Sequence, residues 1–357
     1  MGDPLPVDLR PALGLQRAAE LALQLYGLTA AEISTLPSYM DQNFLIVDQE
    51  DKKFVLKVMN SEESKNVLRL ELQTRAMSFL KRRGIPAPTA VLSAAGRLLN
   101  LEDMDFGRGA QTFCVRLMNF LPGQTVAASP VSARDLYHVG RLAAVVDTTL
   151  QQFVSPNLDV LQYEELWSLS NVPLLEDYLS VMDGDPLQDV ITAVIQQFKT
   201  HVMPKIVSFR KGLIHGDMSD QNVLVAPAAG GRLEVSGLLD FSQLRTDCFV
   251  FEVAVMVAYM MLENRRPLDA AAALLAGWES VLPLGEEEKD ALFLLVLGRL
   301  CQSLVYGRYN VTKYPDNRKY LLTTAGSGTR LLHELWQLGK KHVEEKWFTD
   351  AGTFSDT

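Results

Sequence analysis

The residues best suited to chemistry lie in one short polar segment between two apolar runs. His215, Asp217 and Asn222 follow the spacing H-x-D-x-x-x-x-N. In phosphoryl transfer, an aspartate at this position accepts the proton of an attacking hydroxyl, and the asparagine coordinates the Mg²⁺ that binds the nucleotide phosphates. The segment therefore predicts a kinase, with Asp217 and His215 as candidate catalytic residues and Asn222 as a candidate metal ligand.

A further acidic residue follows the next apolar run along the chain. Asp240 comes directly before Phe241, in the order of the Asp-Phe-Gly segment whose aspartate binds Mg²⁺ in kinases. An aspartate at a turn is more often structural, but its place after the catalytic segment favours metal binding. Because Mg²⁺ prefers one or two carboxylates together with phosphate oxygens, Asn222 and Asp240 could bind it with a nucleotide.

Two segments nearer the N-terminus could contact the nucleotide itself. Lys57 lies in the run 54–58, which is typical of the kinase strand whose lysine binds the α- and β-phosphates. On its own this evidence is weak, because lysines also protect strand edges from aggregation. An apolar strand at 115–118 is followed by the irregular segment Asn119 to Leu121. The backbone of that segment could hydrogen-bond a purine.

The elements that must position these residues fall into two groups. In the first group, apolar spacing predicts helices at 11–27 and 61–83 and strands at 44–47, 54–58, 90–92, 97–100 and 112–118. In the second, it predicts a central strand-loop-strand segment at 213–240 and helices at 132–150, 159–170, 185–209, 248–262, 267–280, 286–308 and 327–345.

This order of elements predicts an α+β fold of two lobes. The first, 1–118, would be a small nucleotide-binding lobe built on an antiparallel sheet, and the last, 125–357, a mostly helical catalytic and substrate-binding lobe. The Pro-Gly pair at 122–123 interrupts the pattern and marks 119–124 as a hinge.

Composition restricts the partners of the chain. It has 357 residues and a net charge of -9, so nucleic acid and anionic membranes, which need a basic surface, are not expected partners. The most apolar stretch, 249–262, contains Glu252 and is too short to cross a bilayer. The three cysteines show no metal-binding spacing, and residues 1–6 do not resemble a secretory signal. We expect a cytoplasmic protein with reduced thiols and a small cationic substrate.

The motifs resemble the aminoglycoside phosphotransferase and choline kinase-like family of small-molecule kinases. The resemblance rests on four segments, which are Leu117-Met118 before Leu121-Pro122-Gly123, His215-Gly216-Asp217 with Asn222, Leu239-Asp240-Phe241, and Glu252-Val253-Ala254. Protein kinases usually carry Arg where this chain has Gly216, which favours the small-molecule branch. The resemblance implies a bilobal protein-kinase-like fold, Mg²⁺ as cofactor, and phosphate coverage by residues 38–43, which include Asn43.

A narrower resemblance within the family concerns the two substrates. It rests on the segments 36–44, 70–73 and 305–309, and it implies GTP as the phosphate donor and the hydroxyl of 5-hydroxy-L-lysine as the acceptor. Two alternatives remain open. One is a kinase for another amino alcohol, such as choline, ethanolamine or homoserine. The other is a catalytically silent nucleotide-binding scaffold, which would be free to lose the motif residues that this chain retains.

The chain departs from the family pattern at two positions. The family often has a glutamate on the first-lobe helix that pairs with the strand lysine, and here either Glu71 or Gln73 could take that role. Glu252 stands where the family usually places aspartate, and we expect it to support the catalytic segment through His215 or the backbone.

Substrate recognition is less apparent in the sequence. A cationic amino acid needs a carboxylate near its ammonium group and a cation near its carboxylate. Asp220 could meet the amine, and Arg299 or Arg308 could meet the carboxylate, although each is more often a solvated charge.

Overall fold

The chain divides into two units, Met1–Leu121 and Pro122–Thr357. The computed structural model describes residues 8–107, 109–228 and 232–354. Residues 1–6, which the sequence analysis considered as a signal segment, lie outside the described residues.

The first unit is built on a five-stranded antiparallel sheet. Its strands are β1 (Ala30–Leu36), β2 (Gln42–Asp48), β3 (Lys53–Val58), β4 (Asn100–Asp105) and β5 (Ala110–Asn119), in the order β1-β2-β3-β5-β4. Two α-helices accompany it, α1 (Leu15–Tyr26) and α2 (Val67–Arg82).

Local chemistry determines where these elements turn and end. The Asp48 side chain accepts hydrogen bonds from the backbone amides of Glu50 and Lys52 at 2.8 and 2.9 Å, which closes the β2–β3 hairpin. Helix α1 ends at Gly27, whose φ of 65° suits a residue without a side chain. The apolar face of α1 joins the inward side chains of the sheet, such as Phe44 and Phe113, in one core.

The second unit is mostly helical. Its α-helices are α3 (Ala133–Leu150), α4 (Gln188–His201), α5 (Phe249–Met261), α6 (Pro267–Glu279), α7 (Glu286–Lys313), α8 (Arg318–Leu321) and α9 (Ala325–Thr353), the last interrupted at Gly339. Its strands are β6 (Gln124–Thr125), β7 (Lys211–Ile214), β8 (Val223–Pro227), β9 (Leu233–Leu238) and β10 (Arg245–Cys248). They form a β6-β8-β9 sheet and a β7-β10 pair.

Helix α7 lies in the core of the second unit. It is long and apolar enough to cross a membrane by length and composition, but 89% of its most apolar window is buried inside the structure. That burial is typical of the central helix of a folded unit. The α+β prediction, with a small antiparallel sheet first and a mostly helical part after it, is confirmed.

Several predicted elements are wrong in detail. The strand predicted at 90–92 is only an isolated bridge between Ala90 and Met118, and the strand predicted at 97–100 begins at Asn100. The helix predicted at 159–170 is replaced by 3₁₀ turns, Leu158–Leu161 and Leu169–Met182. Tertiary contacts compete there with helical hydrogen bonds, since the Ser168 hydroxyl donates to Asp247 at 2.8 Å.

Two further boundaries differ from prediction. The helix predicted at 185–209 is divided into α4 and the 3₁₀ turn Met203–Ser208, because Pro204 cannot donate a backbone hydrogen bond. Strand β1 was not predicted, since its burial is partial on both faces and its apolar pattern is correspondingly weak.

Candidate active site

The catalytic loop joins β7 to β8, and Asn222 closes it. The Asn222 Nδ2 group donates to the backbone carbonyl of Asp217 at 2.9 Å and to its Oδ2 atom at 2.7 Å. The spacing of five residues thus brings the amide back onto the aspartate. The sequence predicted both residues, and the structure places them in direct contact.

Gly216 occupies a position that no other residue could take without movement. Its φ is 84°, and a Cβ atom there would lie 2.6 Å from Nη1 of Arg245 and closer still to the carbonyl oxygen of Gln243. Arg245, on β10, is 2% exposed and donates to Asp247 at 2.9 Å. The glycine between His215 and Asp217 therefore leaves room for a buried arginine from the neighbouring strand.

His215 connects the catalytic loop to the segment after β9. Its Nδ1 atom accepts from the backbone amide of Asp217 at 3.3 Å, and its Nε2 atom lies 2.9 Å from the carbonyl oxygen of Leu239. This pairing corresponds to the neutral tautomer with the proton on Nε2. Burial lowers the pKa of His215, which favours the same neutral form. With both ring nitrogens engaged, His215 positions Asp217.

Glu252, on α5, binds the backbone of the same loop. It is fully buried, and its carboxylate accepts hydrogen bonds from the backbone amides of Gly216 at 2.6 Å and Met218 at 3.1 Å. The expectation that Glu252 supports the catalytic segment through its backbone is confirmed. Two charge-assisted hydrogen bonds on either side of Asp217 restrict the backbone there.

Asp217 contacts Arg299, a cation for which the sequence predicted a different role. Nη2 of Arg299, on α7, lies 3.1 Å from Oδ1 of Asp217, and Nη1 donates to the Trp167 carbonyl at 3.2 Å. The guanidinium also lies over the rings of Trp167 and Tyr259, at 4.8 and 5.2 Å. Arg299 was predicted as a ligand for the substrate carboxylate, whereas here it is bound to the candidate base.

The two contacts of Asp217 determine its electrostatics. Burial raises the pKa of Asp217, the Arg299 guanidinium opposes that effect, and the nearby Asp240 carboxylate adds to it. The Asp217 side chain remains 25% exposed. An incoming hydroxyl can therefore reach a carboxylate whose orientation is already set.

Asp240 and Asn222 are the residues that could bind a metal. Asp240 lies just after β9 with φ 50°, is exposed, and accepts from the Ser242 amide at 3.2 Å. Asn222 uses its Nδ2 group toward Asp217, which directs its Oδ1 atom away from that contact. Within the described ranges no group of three or more His, Cys, Asp or Glu could hold a metal alone. One carboxylate and one amide oxygen fit Mg²⁺ that completes its shell with phosphate oxygens.

Within the first unit, Lys57 on β3 forms an ion pair that was not predicted. Its Nζ atom lies 2.9 Å from Oδ2 of Asp41, and both side chains are less than 10% exposed. Oδ1 of Asp41 accepts from the backbone and side-chain amides of Asn60. Glu71, one of the two predicted partners of Lys57, is instead bound to Arg75 at 2.5 Å, one helical turn later. The signal for Asp41 was its place within the segment 38–43, which the resemblance assigns to phosphate coverage.

The other nucleotide candidates of the first unit lie on its sheet. Asn43 pairs with Lys57 across β2 and β3, and its Oδ1 atom is buried without a hydrogen-bond partner among the described residues. Asn119 ends β5, where its side chain accepts from the Thr89 amide at 2.5 Å, and Leu121 is 7% exposed.

The remaining substrate candidates differ in their surroundings. Asp220 is 4% exposed, and burial together with the neighbouring Asp217 raises its pKa to about 7. Arg308, near the end of α7, is bound to Asp185 at 2.5 Å. Residue type and position in the chain predicted Asp220 and Arg308, and their neighbours became apparent only in the fold.

Comparisons with known proteins show what this chain is similar to. A family model described as "Phosphotransferase enzyme family" matches residues 32–289. A hydroxylysine kinase of Danio rerio is 46% identical over 348 residues, which are 97% of this chain and 98% of that protein.

Two solved structures share the fold. A microcompartment-associated aminopropanol kinase has a TM-score of 0.69 at 17% identity, covering 90% of this chain and 98% of that one. An amicoumacin kinase, in complex with AMP-PNP and Ca²⁺, has a TM-score of 0.66 at 16% identity, covering 93% of both chains. The predicted protein-kinase-like fold is confirmed.

Proposed function

Because this chain belongs to the phosphotransferase enzyme family, we propose that it transfers the γ-phosphate of GTP to the hydroxyl of 5-hydroxy-L-lysine. It is a phosphotransferase with an alcohol group as acceptor. The observation that carries the proposal is the Asp217 carboxylate, oriented by Asn222 at 2.7 Å and by Arg299 at 3.1 Å. The high identity to a hydroxylysine kinase over nearly the full length supports the choice of acceptor.

In this mechanism Asp217 binds the acceptor hydroxyl and takes its proton as the oxygen attacks phosphorus. Both carboxylate oxygens already accept hydrogen bonds, so the carboxylate does not need to reorient during the reaction. The amides of Gly216 and Met218, bound to Glu252, keep the backbone on either side in place. Positioning and charge stabilisation supply most of the catalysis in phosphoryl transfer.

We assign the nucleotide to residues of the first unit and the metal ion to residues of the second. Lys57 would bind the phosphates, with Asp41 orienting its ammonium group at 2.9 Å. Backbone amides of 38–43, with Asn43, would cover the phosphates, and the backbone around Asn119 to Leu121 would bind the purine. Asn222 and Asp240 would bind Mg²⁺, which neutralises charge on the phosphate oxygens when present.

The preference for a cationic acceptor rests on charge. The chain carries a net charge of -9, and Asp220 places a buried acidic group near Asp217. An ammonium group of the acceptor would pair with Asp220, and Arg308 is the remaining candidate for its carboxylate. The choice of GTP over ATP depends on backbone geometry around Asn119 to Leu121, and it is part of the proposal.

We also propose that the enzyme works in the cytoplasm. Its three cysteines, Cys114, Cys248 and Cys301, are free and buried. Burial raises the pKa of the Cys114 thiol to about 11 and of the Cys248 thiol to about 12, so these thiols stay protonated and poorly reactive.

A nucleoside diphosphate release assay tests the proposal. The purified enzyme is supplied with GTP or ATP and, in turn, with 5-hydroxy-L-lysine, L-lysine, homoserine, ethanolamine and choline. We expect turnover with GTP and 5-hydroxy-L-lysine, none with L-lysine, which lacks the hydroxyl, and none in Asp217→Asn. Turnover with another amino alcohol alone would identify that compound as the acceptor in place of 5-hydroxy-L-lysine. Faster turnover with ATP would identify ATP as the donor in place of GTP.

A further inference from the structure

Besides Glu252, another buried carboxyl group lies next to the catalytic loop, and it has no role in the mechanism above. Asp147, on α3, is fully buried. Neither of its carboxyl oxygens has a hydrogen-bond partner of normal geometry in the described part of the chain. A buried carboxylate without donors is strongly destabilising, whereas the neutral acid is tolerated much better.

Helix α3 contacts the catalytic segment through more than one side chain. One turn after Asp147, Gln151 donates to the Leu213 carbonyl at 2.8 Å and accepts from the Leu213 amide at 3.2 Å. Asp147 itself lies beside the backbone amide of His215. The helix therefore supports β7 with a neutral amide and the start of the catalytic loop with an acid.

Glu252 is the acidic neighbour of Asp147, and its environment is different. Both of its oxygens accept backbone hydrogen bonds, from Gly216 and Met218. Of the two buried acids, Glu252 is thus the one whose negative charge is stabilised by hydrogen bonds from the protein. A second anion beside it would have no hydrogen-bond donor of normal geometry among the described residues.

Two charged or titratable groups of the described residues act on Glu252 besides Asp147. His215, at the end of β7, acts on Glu252, and burial keeps its imidazole neutral. Arg245 of β10 also acts on Glu252, but it is hydrogen-bonded to Asp247. In the described part of the chain, the arginine that acts on Glu252 is thus already paired with another carboxylate.

We propose that Asp147 is a positioning residue that is protonated in the folded enzyme, so that Asp147 and Glu252 together carry a single negative charge beneath the catalytic loop. The proposal rests on the proposed function only in that the loop it supports carries Asp217. Loss of the proton would place two neighbouring anions next to the backbone of residues 215–218. Their repulsion would displace the backbone that orients Asp217.

The directions in which the pKa values of Asp147 and Glu252 are shifted agree with a shared proton. Burial raises the pKa of Asp147 well above its ordinary value of 3.8, and the charge of Glu252 raises it further. Burial likewise raises the pKa of Glu252. A group whose pKa is higher in the folded state than in the unfolded chain binds its proton on folding. Stability from that proton is lost as the pH rises from about 4 toward the folded-state pKa.

Unfolding at different pH values tests the proposal. All four tryptophans lie in the second unit, at 167, 278, 336 and 347, so their fluorescence follows the unit that contains Asp147. We expect the Tm of the wild type to fall between pH 6 and pH 9 by roughly 5–10 °C more than that of Asp147→Asn, which mimics the neutral acid. An equal pH dependence in the two proteins would overturn the proposal.

Asp135 offers a matched control on the same helix. Its carboxylate accepts from the Ser132 amide and hydroxyl at 2.8 and 2.6 Å, so Asp135→Asn should lower the Tm at every pH and leave the pH dependence of the wild type unchanged. If Asp147→Asn does not fold, infrared spectra of the wild type test the proposal through the carbonyl band of protonated carboxylic acids. A protonated carboxylic acid that persists at pH 8, above the pKa of about 7 for Asp220, supports the proposal, and its absence refutes it.

An activity profile separates a positioning role from a merely structural one. In the wild type kcat should fall at alkaline pH, and in Asp147→Asn this alkaline limb should move upward or disappear while KM for the nucleotide stays the same. The unfolding and infrared results need no substrate. They can therefore support the proposal even if 5-hydroxy-L-lysine proves not to be the acceptor, and they can refute it even if the proposed reaction is found.

Discussion

Arg299 and Asp217 are 82 residues apart in the chain, yet Nη2 of the arginine lies 3.1 Å from Oδ1 of the aspartate. The arginine is 4% exposed and its guanidinium lies over the rings of Trp167 and Tyr259. A cation held in this way fixes one oxygen of the candidate base, while Asn222 fixes the other. The long helix α7 therefore contributes directly to the geometry of the catalytic loop.

Replacing Arg299 should affect the chemical step. In Arg299→Ala the burial of Asp217 is no longer opposed by the guanidinium, so the pKa of Asp217 should rise. We expect kcat to fall by about 10²–10⁴-fold, the range for loss of an efficient general base, and the acid limb of the pH–rate profile to move upward. Steady-state kinetics from pH 5 to pH 9 measure both.

Arg308→Ala is the comparison for this variant, because Arg308 lies on the same helix but is bound to Asp185. If Arg308 binds the substrate carboxylate, its loss should raise KM for the acceptor and leave kcat nearly unchanged. An Arg299→Ala enzyme with a raised KM and a normal kcat would contradict the positioning role and restore the earlier interpretation of Arg299 as a carboxylate ligand.

Asp240→Asn should weaken metal-dependent nucleotide binding. The substitution removes the negative charge that would bind Mg²⁺, and asparagine tolerates the φ of 50° found at this position. We expect the Mg²⁺ concentration at half-saturation to rise at least tenfold, an effect of about 1.4 kcal/mol. Titration of Mg²⁺ against binding of a fluorescent GTP analogue measures it.

Asp51 provides the matched control for Asp240. It is an exposed aspartate with φ 60° in the β2–β3 turn, so Asp51→Asn makes the same chemical change at a similar backbone angle. Its Mg²⁺ titration should match that of the wild type. A normal titration in Asp240→Asn as well would remove Asp240 from the metal site.

The sequence predicted those parts of the site that depend on local order. The spacing of His215, Asp217 and Asn222 determines their contacts because all three lie in one loop between consecutive strands, β7 and β8. Glu252, in the first turn of α5 and 36 residues after Gly216, was foreseen from the family resemblance instead. Local order also accounts for the β2–β3 hairpin and for the end of α1 at Gly27.

The sequence did not predict the partners that come from distant elements. Asp41 rather than Glu71 pairs with Lys57, Arg299 binds Asp217, and Asp147 lies beside Glu252. Each of these pairs depends on how helices and strands pack, which apolar periodicity does not encode at the level of individual side chains. The sequence also did not show why residue 216 must be glycine, because the side chain that fills the adjacent space, Arg245, comes from β10.

Glu288 should stabilise the second unit in a pH-dependent way. It is 3% exposed and accepts from Arg210 Nη2 at 2.6 Å and from the Gly285 amide at 2.8 Å. Burial alone would raise the pKa of Glu288, but these hydrogen bonds outweigh it and lower the pKa below 4.5. A lowered pKa contributes stability above pH 4.5 that is lost as the pH falls through the folded-state value.

We therefore expect Glu288→Gln to lose about 1–3 kcal/mol at pH 7, the range for hydrogen bonds to a charged group. The difference from the wild type should shrink as the pH falls below 4.5. Urea unfolding followed by tryptophan fluorescence at pH 7, 5 and 4 measures it. Glu286→Gln, two residues earlier and 95% exposed, should change little at any pH. A constant loss in Glu288→Gln would mean that its charge is not involved.

Helices α3 and α6 should tolerate no side chain at their crossing. A Cβ atom added to Gly140 would lie less than 3.0 Å from the carbonyl oxygen of Leu274, and one added to Gly277 would lie equally close to that of Tyr137. Alanine in a helix is intrinsically favoured over glycine by roughly 0.5–1 kcal/mol. Forcing packed backbones apart costs more, typically about 1–3 kcal/mol or above. The overlap should therefore outweigh the helix preference.

Gly140→Ala should accordingly lower the Tm of the second unit, whereas Gly352→Ala, in α9 with nothing within 4 Å, should raise it slightly or leave it unchanged. Because α3 also carries Asp147 and Gln151, a shift of this helix should lower kcat together with stability. Thermal unfolding and kcat at 25 °C measure the two effects. A Gly140→Ala protein as stable and active as the wild type would show that the catalytic segment does not depend on this close helix contact.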